Sequence, residues 1–154
     1  MKLSCDVIKA LQGRTLATAE SCTGGGIGAA LTAVPGSSAV YKGGIISYTN
    51  DVKEKQLGVS RDLLSTKGAV CAPVAEAMAT SVRNRLGADI AVSVTGLAGP
   101  DGDSFGNPVG RVYIGYSDAH KTISKIFTFQ GDRDAVRYQS VQAALRVILT
   151  EVQL

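Results

Sequence analysis

The stretch that most constrains this chain is Thr15-Leu-Ala-Thr-Ala-Glu-Ser-Cys-Thr-Gly-Gly-Gly-Ile-Gly28. It opens as a β-branched and apolar run over 15–19, which reads as a buried strand. It continues into Ile27-Gly-Ala-Ala-Leu31, which reads as a helix. Between them stand Glu20, Ser21, Cys22, Thr23 and three glycines. A strand that stops at a hydroxyl and turns through glycines into a helix sets that hydroxyl at the carboxyl edge of a sheet. It also leaves backbone N–H groups free at a helix start. A nucleophile beside an oxyanion pocket fits this pattern, and so does a plain phosphate nest. Gly24-Gly-Gly-Ile-Gly-Ala29 also satisfies the loose dinucleotide pattern. That fingerprint, however, wants its first glycine at the strand end, where this chain has four polar-rich residues.

The flanking segments predict a layered α/β fold. Leu3, Val7, Ile8 and Leu11 have helical spacing, and Gly13 closes that helix. Pro35 breaks the second helix, and 41–48 reads as a second strand. Asn50 is the expected N-cap of a short helix ending at Gly58, and Ser60 starts another that Gly68 ends. Pro73 suits the first turn of a longer helix to Leu86. The apolar run 88–94 is a central strand, 95–108 is a long Gly/Pro/Asp loop, and 111–117 with 121–130 reads as a hairpin. Asp132 caps a last helix with a stripe of Val141, Leu145, Ile148 and Val152. This order predicts one α/β domain over 1–154, with a mixed, mostly parallel sheet.

Composition narrows the chemistry. A net charge of +3 makes no case for a nucleic-acid partner, and slightly favours a small anionic substrate. No apolar run approaches the roughly 18 residues of a membrane span, and no signal-like segment follows Met1, so a cytoplasmic, reduced protein is expected. Cys5, Cys22 and Cys71 lack metal-ligand spacing. The single histidine, His120, sits in a polar turn, which argues against a Ser-His-Asp triad and against a His-based metal site. Asp101 and Asp103 are spaced like the start of a calcium loop, but Phe105 and Val112 occupy ligand places and break it. Neither metal nor cofactor is expected.

Without a usable histidine, Ser21 as a nucleophile needs a lysine or a carboxylate as its base. Lys53 falls in the first turn of a helix capped at Asn50, where the helix dipole disfavours its charge and lowers its pKa. The other reading of Lys53 is a solvated surface lysine. Tyr48 ends the second strand, where it either relays a proton or packs its ring at the sheet edge. Thr95 and Gly96 end the central strand at the edge where α/β sheets bind ligands. Arg133 and Arg137, four apart, either hold a phosphate or form a solvated face paired with Asp134.

Many short motifs occur together along the chain. They are Ala19-Glu-Ser-Cys-Thr-Gly-Gly25, Pro35-Gly-Ser-Ser38, Ser47-Tyr-Thr-Asn50 followed by Lys53, Leu57-Gly-Val59, Gly68-Ala-Val70, Gly87-Ala-Asp89, Thr95-Gly-Leu-Ala-Gly-Pro100, Pro108-Val-Gly110 and Gly131-Asp-Arg133. In this order, over nearly the whole length, the chain resembles the CinA C-terminal domain family. The resemblance implies a three-layer α/β/α domain and a nicotinamide mononucleotide deamidase, an amidohydrolase of pyridine nucleotide salvage. It implies Ser21 as nucleophile, Lys53 as base, Tyr48 as their partner in proton transfer, and the glycine-turn N–H groups as oxyanion donors. Gly24, Gly25, Thr95 and Gly96 would line the pocket, and Arg133 would contact the phosphate.

Three departures from the family pattern stand out: Ser104-Phe-Gly-Asn107 replaces the usual stretch before Pro108, Cys71 replaces serine, and Met1 directly precedes this domain. The pyrophosphatase activity of larger members is therefore expected to be absent. A homo-oligomer is the general expectation. A non-catalytic nucleotide- or protein-binding module of the same fold is the alternative; joint presence of Ser21, Tyr48 and Lys53 favours the enzyme.

Overall fold

The computed structural model describes residues 1–152; the last two positions of the expected 1–154 domain lie outside the described residues. The elements run α1 (Lys2–Ala10), β1 (Leu16–Glu20), α2 (Gly26–Thr32), a 3₁₀ turn (Ser37–Ala39), β2 (Tyr41–Ile46) and α3 (Asn50–Leu57). They continue as α4 (Arg61–Lys67), α5 (Ala72–Leu86), β3 (Ile90–Gly96), β4 (Arg111–Ser117), β5 (Thr122–Thr128) and α6 (Arg133–Glu151). Local chemistry sets these bounds. The Ser60 hydroxyl accepts the Leu63 N–H, and the Asp132 carboxylate accepts the Ala135 N–H, each filling an orphan donor of a first helical turn. Gly58 and Gly87 end α3 and α5 with φ of 64° and 63°, where a side chain would be strained.

The five strands form one open sheet in the order β2-β1-β3-β4-β5. β1 pairs parallel with β2 and β3, whereas β3–β4 and β4–β5 are antiparallel. The sheet is mixed, as expected, but its parallel share is half rather than most, because β4 enters directly from a loop and not through a crossover helix. One core cluster packs Val7, Ile27, Leu31, Leu145 and Ile148 of α1, α2 and α6 against one face of the sheet. A second packs Leu57, Leu64, Val74, Met78 and Val82 of α3, α4 and α5 against the other. Central β3 is buried along Ile90 to Thr95, as its unbroken apolar run requires.

This topology fixes where a site can form. The chain leaves β1 toward β2 on one side and lies against β3 on the other, so the sheet switches direction at β1. Ligands bind open α/β sheets outside the carboxyl ends of the strands at such a point. Ser21, Ser47 and the Thr95-Gly96 pair all stand there. The ladder continues past the strands: the Ser21 N–H donates to Val94 O (3.1 Å) and the Ser47 N–H to Glu20 O (2.8 Å).

Candidate active site

A cleft of about 440 Å³ opens at this carboxyl edge. Ser21, Tyr48, Lys53, Thr95, Gly96 and Arg133 all line it. Ser21 is held by the β1 ladder, and Lys53 arrives from α3 on the opposite wall. The Lys53 Nζ lies 2.9 Å from Ser21 Oγ and donates to Tyr48 O at 3.0 Å. A lysine only 1% exposed, with no carboxylate partner among the described residues, is not the solvated surface lysine of the alternative reading. Burial lowers its pKa from 10.5 to about 8.

The physical reason for that shift differs from the one expected. The cap of α3 is Thr49, not Asn50: its backbone is extended and its hydroxyl accepts the Val52 N–H at 3.3 Å. Lys53 therefore stands one residue further from the helix start, and desolvation, not the dipole, makes its amine easy to deprotonate. The adjacent Cys22 is pushed the other way. Burial raises its thiol to about 11, and its side chain packs in the core. At neutral pH the thiol stays protonated, and of these two neighbours only Ser21 has a hydrogen bond to Lys53.

Tyr48 meets Lys53 through a different atom from the one expected. Its backbone carbonyl, not its phenol, meets Lys53, and the same oxygen takes a long 3.5 Å contact from Ser21 Oγ. The phenol points to the mouth of the cleft, more than half exposed, and accepts from the Arg133 guanidinium at 2.9 Å. The Tyr48 hydroxyl is thus bonded to Arg133 and not to Lys53 or Ser21. Arg133 also donates to Gly99 O at 2.6 Å and so ties the 97–101 wall to Tyr48.

The glycine turn is also used differently. Gly24 and Gly25 adopt φ of 59° and 104°, which only glycine takes freely, but neither lines the cleft. Their neighbour Glu20, 2% exposed, folds back over the turn. Its Oε1 accepts from the Gly25 N–H (3.2 Å), the Ile27 N–H (2.9 Å) and the Thr23 hydroxyl (2.6 Å), and its Oε2 accepts from the Gly28 N–H (3.0 Å). The glycine-turn donors expected to face an oxyanion are thus occupied internally, the Gly25 N–H by this carboxylate and the Gly24 and Gly26 N–H groups by Ser21 O and Thr23 O. Arg137 likewise turns away from any phosphate: it donates to Cys22 O (3.0 Å) and Thr23 O (3.2 Å) and does not line the cleft.

Thr95 and the 104–107 loop shape the far wall. The Thr95 hydroxyl donates to Ala69 O (2.9 Å), and the Asn107 amide donates to the next carbonyl, Val70 O (3.0 Å). Asp103 accepts the Phe105 and Asn107 N–H groups, each at 3.0 Å, which folds that loop into a turn. Ala69 and Val70 line the cleft, so the residues that replace the usual stretch before Pro108 hold one of its walls. Among the described residues no group of three or more His, Cys, Asp or Glu could hold a metal ion, and His120 lies in the β4–β5 turn.

The CinA C-terminal domain model matches residues 2–152. The chain belongs to the CinA C-terminal domain family. Within that family it is 49% identical over 132 residues to the nicotinamide-nucleotide amidohydrolase PncC of Pseudomonas putida, covering 86% of this chain and 82% of that one. It is 49% identical over 147 residues to a CinA-like protein of Thermosynechococcus vestitus, covering 92% of this chain but 35% of the relative. The chain thus spans about a third of the length of several CinA-like proteins it matches. The crystal structure of competence damage-inducible protein A from Klebsiella pneumoniae superposes with a TM-score of 0.95 at 34% identity, over 99% of this chain and 98% of that one. No helix among the described residues is long and apolar enough to cross a membrane.

Proposed function

We propose that this CinA-family domain hydrolyses the carboxamide of nicotinamide mononucleotide to nicotinic acid mononucleotide and ammonia. The observation that carries the reading is the buried Ser21–Lys53 pair at 2.9 Å, with an amine that loses its proton near pH 8. A binding module needs no base kept close to neutral beside a hydroxyl, and the PncC relative's name supplies the substrate class.

The steps follow from the atoms present. Neutral Lys53 keeps one N–H on Tyr48 O, which aims its lone pair at Ser21. Lys53 takes the hydroxyl proton as Ser21 Oγ bonds the amide carbon. The C–N bond then breaks, the departing nitrogen takes that proton from Lys53, and ammonia leaves an acyl-serine. Water attacks the ester, giving its proton to Lys53, and Ser21 recovers it as the acid departs. Arg133, at the mouth, supplies the positive charge for the nucleotide phosphate.

The test is ammonia release from nicotinamide mononucleotide by chelator-treated protein beside Ser21→Ala. The variant should keep its fold and lose at least about 10³-fold in turnover. Comparable release by both would remove Ser21 from the chemistry; release by neither would move the protein to another amide or to the binding module.

The Tyr48 geometry supports a separate expectation. Tyr48→Phe keeps the carbonyl that aims Lys53 and removes the hydroxyl that holds Arg133. KM should rise about 2- to 5-fold, the worth of one exposed hydrogen bond, with kcat nearly unchanged. A tenfold fall in kcat at constant KM would restore the phenol to the proton path.

A further inference from the structure

The segment Gly68-Ala69-Val70 lies between α4 and α5, and each of its three carbonyls is held by a side chain. Gly68 O accepts from the Cys71 thiol (3.5 Å), Ala69 O from the Thr95 hydroxyl (2.9 Å) and Val70 O from the Asn107 amide (3.0 Å). With these acceptors occupied, the segment borders the cleft as an apolar stretch, Ala69 and Val70. Cys71 caps α5 and Thr95 belongs to β3, so both are placed by regular structure. Asn107 comes from the loop between β3 and β4 and is placed by that loop's own bonds. The second N–H of its amide goes to Asp103 Oδ2 (2.8 Å), while Asp103 Oδ1 takes the Asn107 and Phe105 N–H groups. The Phe105 ring lies against Gly68, where an added Cβ would stand 2.6 Å from it. The 103–107 turn is thus a self-bonded unit docked on the wall by one hydrogen bond and one ring, and neither Phe105 nor Asn107 lines the cleft itself.

This wall stands at the chemical end of the cleft. The Ser21 N–H donates to Val94 O, Thr95 follows Val94, and the Thr95 hydroxyl reaches Ala69 O, so two hydrogen bonds link Ala69 to the nucleophile. The mouth is marked by Arg133, which donates to Gly99 O and to the Tyr48 phenol. A nucleotide whose amide carbon meets Ser21 and whose phosphate meets Arg133 keeps its ring beside Ser21, because the amide is attached to the ring itself. A flat ring is recognised by an apolar surface held in contact with it, and a stretch of main chain holds that contact only if its peptide units cannot turn.

We propose that the pyridine ring of the substrate lies against Ala69 and Val70, and that Asn107 is the positioning residue that fixes this wall and so selects the ring. This rests on the amidohydrolase reading above. An amide is the group this place needs. A carboxylate of the same shape would set an oxygen against both Val70 O and Asp103 Oδ2, and an apolar side chain would leave both without this donor.

The experiment uses the full chain and two ligands that do not react. Nuclear magnetic resonance titrations give dissociation constants for nicotinic acid mononucleotide, the product, and for ribose 5-phosphate, which has the sugar and the phosphate but no ring. Asn107→Ala should weaken nicotinic acid mononucleotide about 5- to 10-fold, the effect of one lost hydrogen bond and the carbonyl it leaves unpaired, with ribose 5-phosphate within about twofold. KM for nicotinamide mononucleotide should rise by the same factor, with kcat within about threefold. Equal weakening of both ligands would mean a general loosening, and unchanged binding of both would mean a wall that holds itself; either result overturns the proposal. A fall in kcat with binding intact would place the effect on the Ser21–Lys53 pair and overturn it too. Should Asn107→Ala fail to melt cooperatively, Phe105→Ala decides. It removes a half-exposed ring from Gly68 and should weaken nicotinic acid mononucleotide about 2- to 3-fold without moving ribose 5-phosphate; wild-type affinity for the nucleotide overturns the proposal.

Absence of turnover in a wild type that binds nicotinic acid mononucleotide counts against the amidohydrolase reading only, and the titrations still decide the wall. A wild type that binds ribose 5-phosphate as tightly as the ring-bearing nucleotide overturns the proposal whatever its turnover, as does one that binds neither.

Discussion

Lys53→Met is expected to abolish turnover and, at the same time, to make the protein harder to unfold. Methionine keeps the unbranched stem and removes the amine, so Ser21 loses the group that takes its proton. The rate should fall by about 10³-fold or more. The stability effect follows from the lowered pKa. The folded chain gives up the Lys53 proton near pH 8, and the unfolded chain holds it to about 10.5. Between those values the unfolded state binds more protons, so stability rises with pH; below about 8 the full penalty of burying the charge is present. That penalty is about 3 kcal/mol, and removing it leaves Tyr48 O with only the long contact from Ser21 Oγ, so a net gain of about 1–2 kcal/mol is expected at pH 7. Urea unfolding of the two proteins at pH 7 and pH 10 is the check. The gain should shrink at the higher pH, and a variant less stable than wild type at pH 7 would refute the buried, near-neutral lysine. In the wild type, kcat/KM should climb with pH to a plateau above about 8 as the amine loses its proton.

Glu20→Ala is expected to have the largest effect on stability. It removes the acceptor of three backbone N–H groups and of the Thr23 hydroxyl in one step, at a site almost closed to water. Leaving several buried donors without partners costs on the order of 3 kcal/mol or more. For a chain of this size that is a fall in melting temperature of roughly 6–12 °C. Turnover should fall with it, because the turn that carries Ser21 loses its internal anchor. Glu20→Gln retains the acceptor oxygen but turns an NH₂ toward backbone donors, so it should lie between wild type and alanine. A melting temperature within 2 °C of wild type for Glu20→Ala would show that the turn is held by Arg137 and the ladder alone.

The sequence carries the strand–turn–helix at Ser21 plainly, because the change from a β-branched run to consecutive glycines has few other structural solutions. It also carries the caps at Ser60, Asp132 and Gly87, where local hydrogen bonding decides the boundary. Other parts lie beyond local reading. Thr49 and Asn50 are both good caps in sequence, and the chain uses the first. Arg137 reaches a turn 115 residues away in the chain, so its four-residue spacing from Arg133 reads equally well as a phosphate clamp. Glu20 sits at the end of a strand, and nothing in its neighbours' identities shows that its carboxylate bends back over the following turn. Tyr48 shows a different limit: side-chain patterns point to a residue, whereas the atom facing Lys53 belongs to the main chain.

That last feature has a consequence for how such a domain can diverge. The oxygen that holds the Lys53 amine is one that every amino acid carries, so no substitution at position 48 can delete it without moving the main chain between β2 and α3. The tyrosine ring and its hydroxyl, by contrast, face the entrance and touch Arg133. Position 48 is thereby split into an invariant half and a tunable half. New side chains there can change what is admitted at the mouth while the Ser21–Lys53 geometry is inherited intact.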